Sequence, residues 1–311
     1  MLKYVLKRLG YILVTLWVIV TCTFFMMKNL PGTPFDAERF SIMTPQQQER
    51  VLEMYGLNDS LPMQYVKYIK NMLKGDLGTS FTYVNQDVSK VITGRLGPSA
   101  LIGIQAVLIG LAIGLILGIL AAWKHNSGID YFTMILAVLG VSVPNFVAAA
   151  LLQYYIGLKW GVLPVGFWTG WNCSVLPSIA LSFSATAMVA RFMRTEMLDV
   201  LDQDYIITAR AKGLSQMKVL MRHAVRNSIL PVVTILGPIV VNLMTGSLAV
   251  ENIFSIPGIG SLFVDCIKAN DYPVIMGITI FYAAFYMLIV LLVDLAYSLI
   301  DPRIRLAKKG D

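Results

Sequence analysis

Long apolar runs, separated by short polar segments, dominate the pattern of this chain. Six of the runs contain about 20 residues or more, the length that an α-helix needs to cross the hydrocarbon layer of a membrane. They cover residues 9–27, 101–123, 131–152, 175–193, 229–250 and 274–300. The pattern predicts an all-α polytopic membrane protein with six transmembrane helices. Pro144 and Pro238 fall inside these runs and are expected to kink their helices, because proline has no N–H to donate.

The composition agrees with a membrane protein. Hydrophobic residues make up 57% of the 311 residues and charged residues only 14%, whereas charged residues form about 25% of an ordinary soluble domain. In a soluble protein the net charge of +7 would suggest nucleic acid. In a membrane protein it indicates basic cytoplasmic loops beside anionic lipid. We therefore expect membrane lipid as a partner and no nucleic acid.

The basic residues predict the orientation. With a cytoplasmic N-terminus, the inner segments hold 15 of the 25 Lys and Arg residues, and the long outer segment from Lys28 to Arg95 holds 8 of the other 10. The positive-inside rule largely discounts long segments, so the short loops place both termini in the cytoplasm. The inner residues are Lys3, Lys7, Arg8, Lys124, Arg191, Arg194, Arg210, Lys212, Lys218, Arg222, Arg226, Arg303, Arg305, Lys308 and Lys309.

The long outer segment is predicted to contain two extracytoplasmic helices. Thr44 precedes Pro45 in a pattern typical of a helix N-terminus, and Gly56 ends the first helix. Pro62 opens the second helix and Gly75 ends it. The second helix carries one apolar stripe, which serves either for packing or as a docking surface. The stripe consists of Val66, Ile69 and Leu73.

A basic cytoplasmic segment between the fourth and fifth runs is predicted to form a helix–glycine–helix hairpin. Asp202 or Asp204 caps its first helix, Gly213 takes the left-handed conformation after it, and Ser215 caps the second helix. Pro231 marks the entry to the next span. The second helix has an apolar face of Met217, Leu220, Met221, Ala224 and Val225, and a basic row of Lys218, Arg222 and Arg226. The hairpin is either an interfacial anchor or a docking element for a cytoplasmic partner.

Ionisable groups inside membrane spans are candidate functional residues. Asp294 is expected to pair with Arg191 or Arg194, either as a structural ion pair or as part of a proton relay. Four uncharged polar residues either line a pathway or bond a neighbouring helix. They are Asn145, Asn242, Gln105 and Gln153.

The sequence lacks the patterns of catalytic sites. The dipeptide Gly-Lys does not occur, so there is no phosphate-binding loop of the GxxxxGK type, and neither histidine falls in a predicted span. We predict no catalytic residues, no metal ligands and no cofactor on this chain. Cys173 and Cys266 either pair or remain free thiols.

The hairpin carries the letters "ARAKG" at residues 209–213, followed by "LP" at 230–231. This pattern resembles the cytoplasmic signature loop of ABC-transporter importer permeases. Five further segments are similar to the B-type membrane subunit of the oligopeptide and dipeptide permease family. They are "FFMMKNLPGTPFDAERF" at 24–40, "YGLNDSLPMQY" at 55–65, "GDLGTSF" at 75–81, "ENIFSIPGIG" at 251–260 and "YSLIDPRIR" at 297–305.

The resemblance implies the type I ABC importer permease fold and a role in ATP-driven peptide import across a bacterial cell membrane. It implies an N-terminal span at 1–28, an extracytoplasmic segment at 29–96, a five-span transmembrane domain at 97–300 with a coupling loop at 195–228, and a cytoplasmic tail at 301–311. The residues of the loop that it assigns to ATPase coupling are Thr208, Ala209, Arg210, Ala211, Lys212, Gly213 and Leu214.

The implied partners are a homologous second permease, two ABC ATPase subunits that carry ATP and magnesium, an extracytoplasmic peptide-binding protein or lipoprotein, and the peptide substrate. Two alternatives stay open. One is a proton-coupled secondary peptide transporter, although this chain shows neither repeated halves nor paired intramembrane charges. The other is the same ABC class with nickel or another small solute as the substrate.

Overall fold

The apolar runs fold as long helices in the computed structural model of the chain, which describes residues 2–29, 40, 42–54, 56–83 and 86–300. Within those residues the regular structure is helical, apart from one isolated β-bridge between Thr79 and Asp87. The outer and first membrane helices are α1 (Leu2–Lys28), α2 (Pro45–Met54), α3 (Leu61–Leu73), α4 (Val88–Trp123), α5 (Gly128–Ser142) and α6 (Asn145–Leu152). The remaining helices are α7 (Val175–Leu201), α8 (Asp204–Ala211), α9 (Gln216–Val219), α10 (Arg226–Met244), α11 (Leu248–Ile253), α12 (Ile259–Lys268) and α13 (Tyr272–Ile300). A π-helical turn, Gln153–Lys159, extends α6, and another, Leu220–Val225, joins α9 to α10.

The number of spans agrees with the prediction. Five helical segments of the described residues are long and apolar enough to cross a membrane, and a sixth apolar region is a bent pair. The five segments are Lys7–Lys28, Val88–Trp123, Trp171–Leu201, Gln216–Ile253 and Tyr272–Val293. The pair Gly128–Ser142 and Asn145–Lys159 is bent by 100°. Counted as one span, this pair completes the six.

The third predicted span is a bent pair of helices. Val143 adopts an extended conformation with φ −80° and ψ 117°, and Pro144 follows with φ −58° and ψ 137°. The proline ring disfavours helical geometry in the residue before it and provides no N–H for the next turn. The expected kink at Pro144 is confirmed, and it is sharp enough to end one helix and begin another.

The prolines of the fifth span do not end a helix as Pro144 does. Pro231 and Pro238 both lie inside α10, and the helical run that contains them begins earlier, at Gln216. Pro231 therefore does not lie in the first turn of this helical run, and its position at the entry to the membrane stays a prediction. Membrane helices tolerate internal proline because neighbouring groups satisfy the carbonyl that proline leaves free.

The chain divides into two compact units. The first comprises Met1–Gly97 and Ile259–Phe285, and its core is built from the start of α4, from α12 and from the start of α13. Asp271, which is fully buried, accepts hydrogen bonds from the Ser80 hydroxyl and from the backbone N–H groups of Phe81 and Thr82. This carboxylate ties the loop before α4 to the start of α13.

The two predicted outer helices belong to the first unit. The N–H of Thr44 donates to Gln47 Oε1 at 2.9 Å, and the N–H of Gln47 donates to Thr44 Oγ1 at 3.4 Å. This reciprocal capping confirms that α2 begins after Thr44. Gly56 and Gly75 have φ values of +65° and +83°, which confirms the predicted ends of α2 and α3.

The second unit comprises Pro98–Gly258 and Tyr286–Asp311, with α7 at the centre of its core. Three glycines of α4, at a spacing of four residues, lie directly against α7. A Cβ at Gly110, Gly114 or Gly118 would come within 2.7 Å of an atom of α7. Small residues at this spacing let two membrane helices approach closely.

The cysteines provide a test of the packing in the first unit, to which Cys266 belongs. Cys22, Cys173 and Cys266 are free thiols, so Cys173 and Cys266 do not pair. Burial and the nearby carboxylates Asp271 and Asp265 raise the pKa of Cys266 to about 12. Because only the thiolate is nucleophilic, we expect iodoacetamide at pH 8.5 to leave Cys266 unmodified in the folded protein and to modify it after denaturation. Mass spectrometry of tryptic peptides measures this, and equal labelling in both states would contradict it.

Candidate functional site

The hairpin predicted to lie in the cytoplasm begins directly after α7. Asp202 is the C-cap residue of α7, Gln203 occupies the N-cap position of α8, and Asp204 is the first residue of α8. Neither predicted aspartate is therefore the cap, but Asp204 in the first turn still complements the positive end of the helix dipole. The first arm of the hairpin is α8.

Gly213 ends the first arm in a complete Schellman motif. The N–H of Gly213 donates to the carbonyl of Arg210 at 2.9 Å, and the N–H of Leu214 donates to the carbonyl of Ala209 at 3.4 Å. Gly213 has φ +76°, so the predicted left-handed conformation is confirmed. These two hydrogen bonds satisfy carbonyls that a helix end leaves free and fix the direction of the chain into the second arm.

A small core holds the two arms together. Ile206 and Ala209 of the first arm are buried with Val219 of the second, and Leu214 packs against them. The side chain of Asn227 also donates to the hydroxyl of Tyr205 at 3.2 Å. The hairpin is thus packed as one element.

The apolar face of the second arm differs from the predicted one. Leu220 and Ala224 are buried as expected, but Met217 and Met221 are 51% and 52% exposed. Val219, which the prediction left out, is buried instead. The periodicity of the second arm alone predicts that Met217 and Met221 are buried. The contact with the first arm buries Val219 instead. The turn joining α9 to α10 is also π-helical, which changes the residue spacing along the buried side.

The outward surface of the hairpin is both basic and apolar. Ile207, Met217 and Met221 are exposed, and so is a set of cationic side chains around them. The exposed cations are Arg210, Lys212, Lys218, Arg222 and Arg226. Ser215 occupies the N-cap position of α9, although its side chain makes no cap hydrogen bond.

The predicted coupling residues lie together where the two arms meet. Thr208, Arg210, Ala211, Lys212 and Gly213 are exposed, whereas Ala209 is buried and Leu214 is half-buried. The Thr208 hydroxyl donates to the carbonyl of Asp204 at 3.0 Å. Five of the seven predicted coupling residues are therefore exposed at the tip of the hairpin, and their role in coupling stays a prediction.

Arg194 binds a carboxylate that we did not predict. Its Nε donates to Asp130 Oδ1 at 2.5 Å and its Nη2 donates to Asp130 Oδ2 at 2.7 Å. His125 Nδ1 and the N–H of Asn126 lie 3.1 and 3.0 Å from Asp130 Oδ2. The Asp130 side chain is 3% exposed. This bidentate pair joins the first turn of α5 to α7, seven residues before α7 ends at Leu201.

The predicted partner of these arginines is Asp294, which lies in α13 with its side chain outside the described residues. Its pairing therefore stays a prediction. Arg191 is exposed, whereas Arg194 already binds Asp130. Asp130 and Arg194 each lie directly beside the end of a predicted apolar run, and this shared position was the available signal for their pair.

The four uncharged polar residues occupy different settings. Gln105 accepts a hydrogen bond from the Ser178 hydroxyl at 2.9 Å. Gln153 donates to the carbonyls of Val165 and Ile253 at 2.6 and 2.7 Å. Asn242 is exposed on α10. Their role in a pathway stays a prediction.

Asn145 is the first residue of α6, directly after the break at Pro144, and it is half-buried. A second buried carboxylate, Glu251, was also absent from the prediction. It is 2% exposed and accepts a hydrogen bond from the Ser99 hydroxyl at 2.7 Å. A Cβ at Gly258 would come 2.3 Å from this carboxyl group, so a side chain there would displace the carboxyl group. The close spacing of Glu251 and a glycine-rich turn in "ENIFSIPGIG" was the available signal.

Within the residues that the structure describes, no group of three or more His, Cys, Asp or Glu side chains could hold a metal ion. The described residues form long helices, a packed hairpin and buried carboxylates that accept hydrogen bonds from other segments of the chain.

Comparison with known proteins gives consistent matches over almost the whole chain. The family model described as "Binding-protein-dependent transport system inner membrane component" matches residues 114–306, and the model of the corresponding N-terminal region matches residues 1–96. The dipeptide transport system permease protein DppB of Lactococcus lactis is 46% identical over 98% of this chain and 100% of its own length. DppB of Bacillus subtilis is 43% identical over 100% of both chains.

The oligopeptide transport system permease protein OppB of Haemophilus influenzae is 39% identical over 98% of this chain and 100% of its own length. Among solved structures, an amino acid ABC transporter with histidines matches with a TM-score of 0.51 at 19% identity, covering 69% of this chain and 94% of that chain. At this identity the likeness shows a shared fold.

Proposed function

Because this chain belongs to the family of binding-protein-dependent transport system inner membrane components, we propose that it forms half of a peptide pathway and couples that pathway to ATP hydrolysis on partner subunits. The chain is a multi-pass inner-membrane permease subunit of an ABC importer, with the importer permease fold. Peptides are the proposed substrate because the relatives similar over full length are named as dipeptide and oligopeptide permeases.

The structure of the hairpin is the observation that supports the coupling role. A rigid two-arm element with exposed basic and apolar side chains suits a protein partner better than it suits a lipid surface alone. The Schellman motif fixes its tip, and the small core around Ile206 and Val219 fixes its arms. The proposed partners at this tip are two ABC ATPases, which would carry the ATP and magnesium. A homologous permease and an extracytoplasmic peptide-binding protein would complete the importer.

The connections of the hairpin support transmission by rigid-body motion. Its second arm continues without interruption into α10, and the Ser228 hydroxyl donates to the carbonyl of Glu196 in α7 at 3.2 Å. Val200 and Leu201 at the end of α7 pack against the hairpin core. A displacement of the tip would therefore move α7 and α10 together.

The test is uptake by proteoliposomes that contain the subunit, its partner permease, both ATPases and the binding protein. We expect a labelled dipeptide to accumulate only when ATP is present on the ATPase side, and to accumulate equally with a proton uncoupler. Uptake that needs a proton gradient and no ATP would support the secondary transporter instead. Nickel accumulation without peptide accumulation would reject the peptide assignment alone.

The cytoplasmic position of the hairpin gives a separate prediction. A reporter fused after Asp311 should be active only in the cytoplasm, and one inserted at Asn58 only outside, because the short basic loops set the orientation. Alkaline phosphatase and green fluorescent protein fusions measure the two sides. Activity on the opposite side at either position would contradict the orientation.

A further inference from the structure

The break in the third span leaves two backbone carbonyls without their helical donors. Pro144 has no N–H for the carbonyl of Gly140, four residues before it. The N–H groups of Val147 and Ala148 donate to the carbonyl of Pro144, at 2.9 and 3.2 Å. Among the hydrogen bonds of the described residues, none ends on the carbonyl of Val143. These two carbonyls therefore need donors from outside their helix.

The break lies at the middle of the membrane span. One half of the bent pair has 15 residues, and the other has 8 residues in α6 and 7 in the π-helical turn. A Cβ at Gly140 would come 3.0 Å from Phe183 and Ala187, which lie on either side of the centre of the helical segment Trp171–Leu201. Both observations give the same depth. Backbone that is not helical occurs at this depth only inside protein or beside a water-filled cavity.

An apolar cavity of about 740 Å³ lies at the break, and both Gly140 and Val143 are in its wall. The bend creates this cavity, because α5 and α6 line it from two directions, together with α4 and α7. Apart from the hydroxyls of Thr133, Ser182 and Thr186, the side chains that line it are apolar. The backbone of all six apolar runs lies within the described residues, so the segments outside them are not expected at this depth.

The occupant of the cavity has to supply hydrogen-bond donors as well as apolar surface. A lipid acyl chain has no donor, and the N–H groups of a packed helix are already bonded within that helix. A peptide in transit offers both main-chain N–H groups and side chains. Ligand sites are usually apolar cavities with a few polar groups that fix the orientation of the ligand. In transporters, substrate sites lie near the bilayer midplane at broken helices.

We propose that this cavity receives an apolar side chain of the transported peptide, while main-chain N–H groups of the peptide bond to the carbonyls of Gly140 and Val143. This inference rests on the proposed peptide transport. It adds a site inside the permease that selects peptides by the size of one side chain, after the binding protein has delivered them.

Side-chain size tests the site in proteoliposomes that contain the complete importer. Leu139 lines the cavity and is 51% exposed, whereas its neighbour Val138 is 56% exposed and is not in the cavity wall. We expect Leu139→Trp to lower the maximal uptake rate of alanyl-phenylalanine by roughly tenfold and to leave that of alanyl-alanine near the parental rate. Val138→Trp is the matched control and should leave the ratio of the two rates unchanged.

Two results would overturn the site. One is a parental ratio in Leu139→Trp, and the other is an equal fall of the ratio in Val138→Trp. A parent that accumulates neither dipeptide would contradict the proposed function instead.

Thiol access tests the occupant without any large side chain. In the assembled complex in lipid nanodiscs, with Cys22 replaced by alanine, a positively charged methanethiosulfonate reagent should modify Val143→Cys, because a peptide pathway admits water. The control is Ile116→Cys, since Ile116 is 58% exposed inside the apolar run 101–123 but is not in the cavity wall. Mass spectrometry should show this control unmodified. Equal modification of both cysteines, or of neither, would show that the cavity is not part of a water-filled pathway.

Discussion

Replacing Gly213 with valine should sharply reduce peptide uptake while leaving a membrane-inserted protein. Gly213 holds φ +76° at the tip of the hairpin, and a β-branched residue in that conformation costs about 1–2 kcal/mol or more. A Cβ at this position would meet no atom within 4 Å, so the defect comes from the backbone angle and not from a clash. Since each 1.4 kcal/mol is about tenfold in an equilibrium, we expect uptake and ATPase capture to fall by roughly tenfold.

A matched variant separates the backbone effect from any change in size. Asparagine tolerates the left-handed conformation, so Gly213→Asn should transport at close to the parental rate. Uptake in proteoliposomes and pull-down of the ATPases measure both variants. If Gly213→Val captured the ATPases and transported like the parent, the hairpin would be an interfacial anchor and not a coupling element.

Removing Arg194 should have the largest effect on stability. The Arg194→Ala variant leaves the buried carboxylate of Asp130 without its bidentate partner, and breaking a buried pair in this way costs about 3–5 kcal/mol. Arg194 is 21% exposed, so water reaches part of the pair and places the cost near the lower end. We expect a lower yield of assembled complex and a lower midpoint of thermal unfolding, measured by size-exclusion chromatography after heating.

The control removes both charges together. In Asp130→Asn/Arg194→Gln no ion is left buried alone, and hydrogen bonding between the two side chains is still possible. This double variant should recover most of the stability that Arg194→Ala loses. Equal yields for the parent and Arg194→Ala would show that the pair contributes nothing to assembly.

Local rules were sufficient for several helix ends of this protein. The capping pair of Thr44 and Gln47 and the left-handed Gly56, Gly75 and Gly213 each depend on residues close in the chain. The sequence carries the whole cause of such features, because no distant contact is needed to form them. The six apolar regions follow for the same reason, since length and hydropathy decide them.

Contacts between distant segments were not predictable in the same way. The exposure of Met217 depends on the first arm of the hairpin, and the partner of Arg194 lies 64 residues away, at Asp130. In the sequence, Asp294 is the evident acidic residue inside a span, because it lies within an apolar run. Asp130 lies at the edge of its apolar run and therefore resembles a loop residue. Pro144 showed where the third span bends but not that the bend would reach 100°.

That bend bears on how the protein enters the membrane during synthesis. α5 has 15 residues, which is about 22 Å of helix and shorter than the roughly 30 Å hydrocarbon layer. Neither half of the bent pair can therefore partition into lipid as an independent unit. A Cβ at Gly140 of α5 would come 3.0 Å from Phe183 and Ala187 of α7, so α7 is the helix that shelters α5. Because α7 follows α5 in the chain, we expect this region to assemble as a group of helices rather than one span at a time.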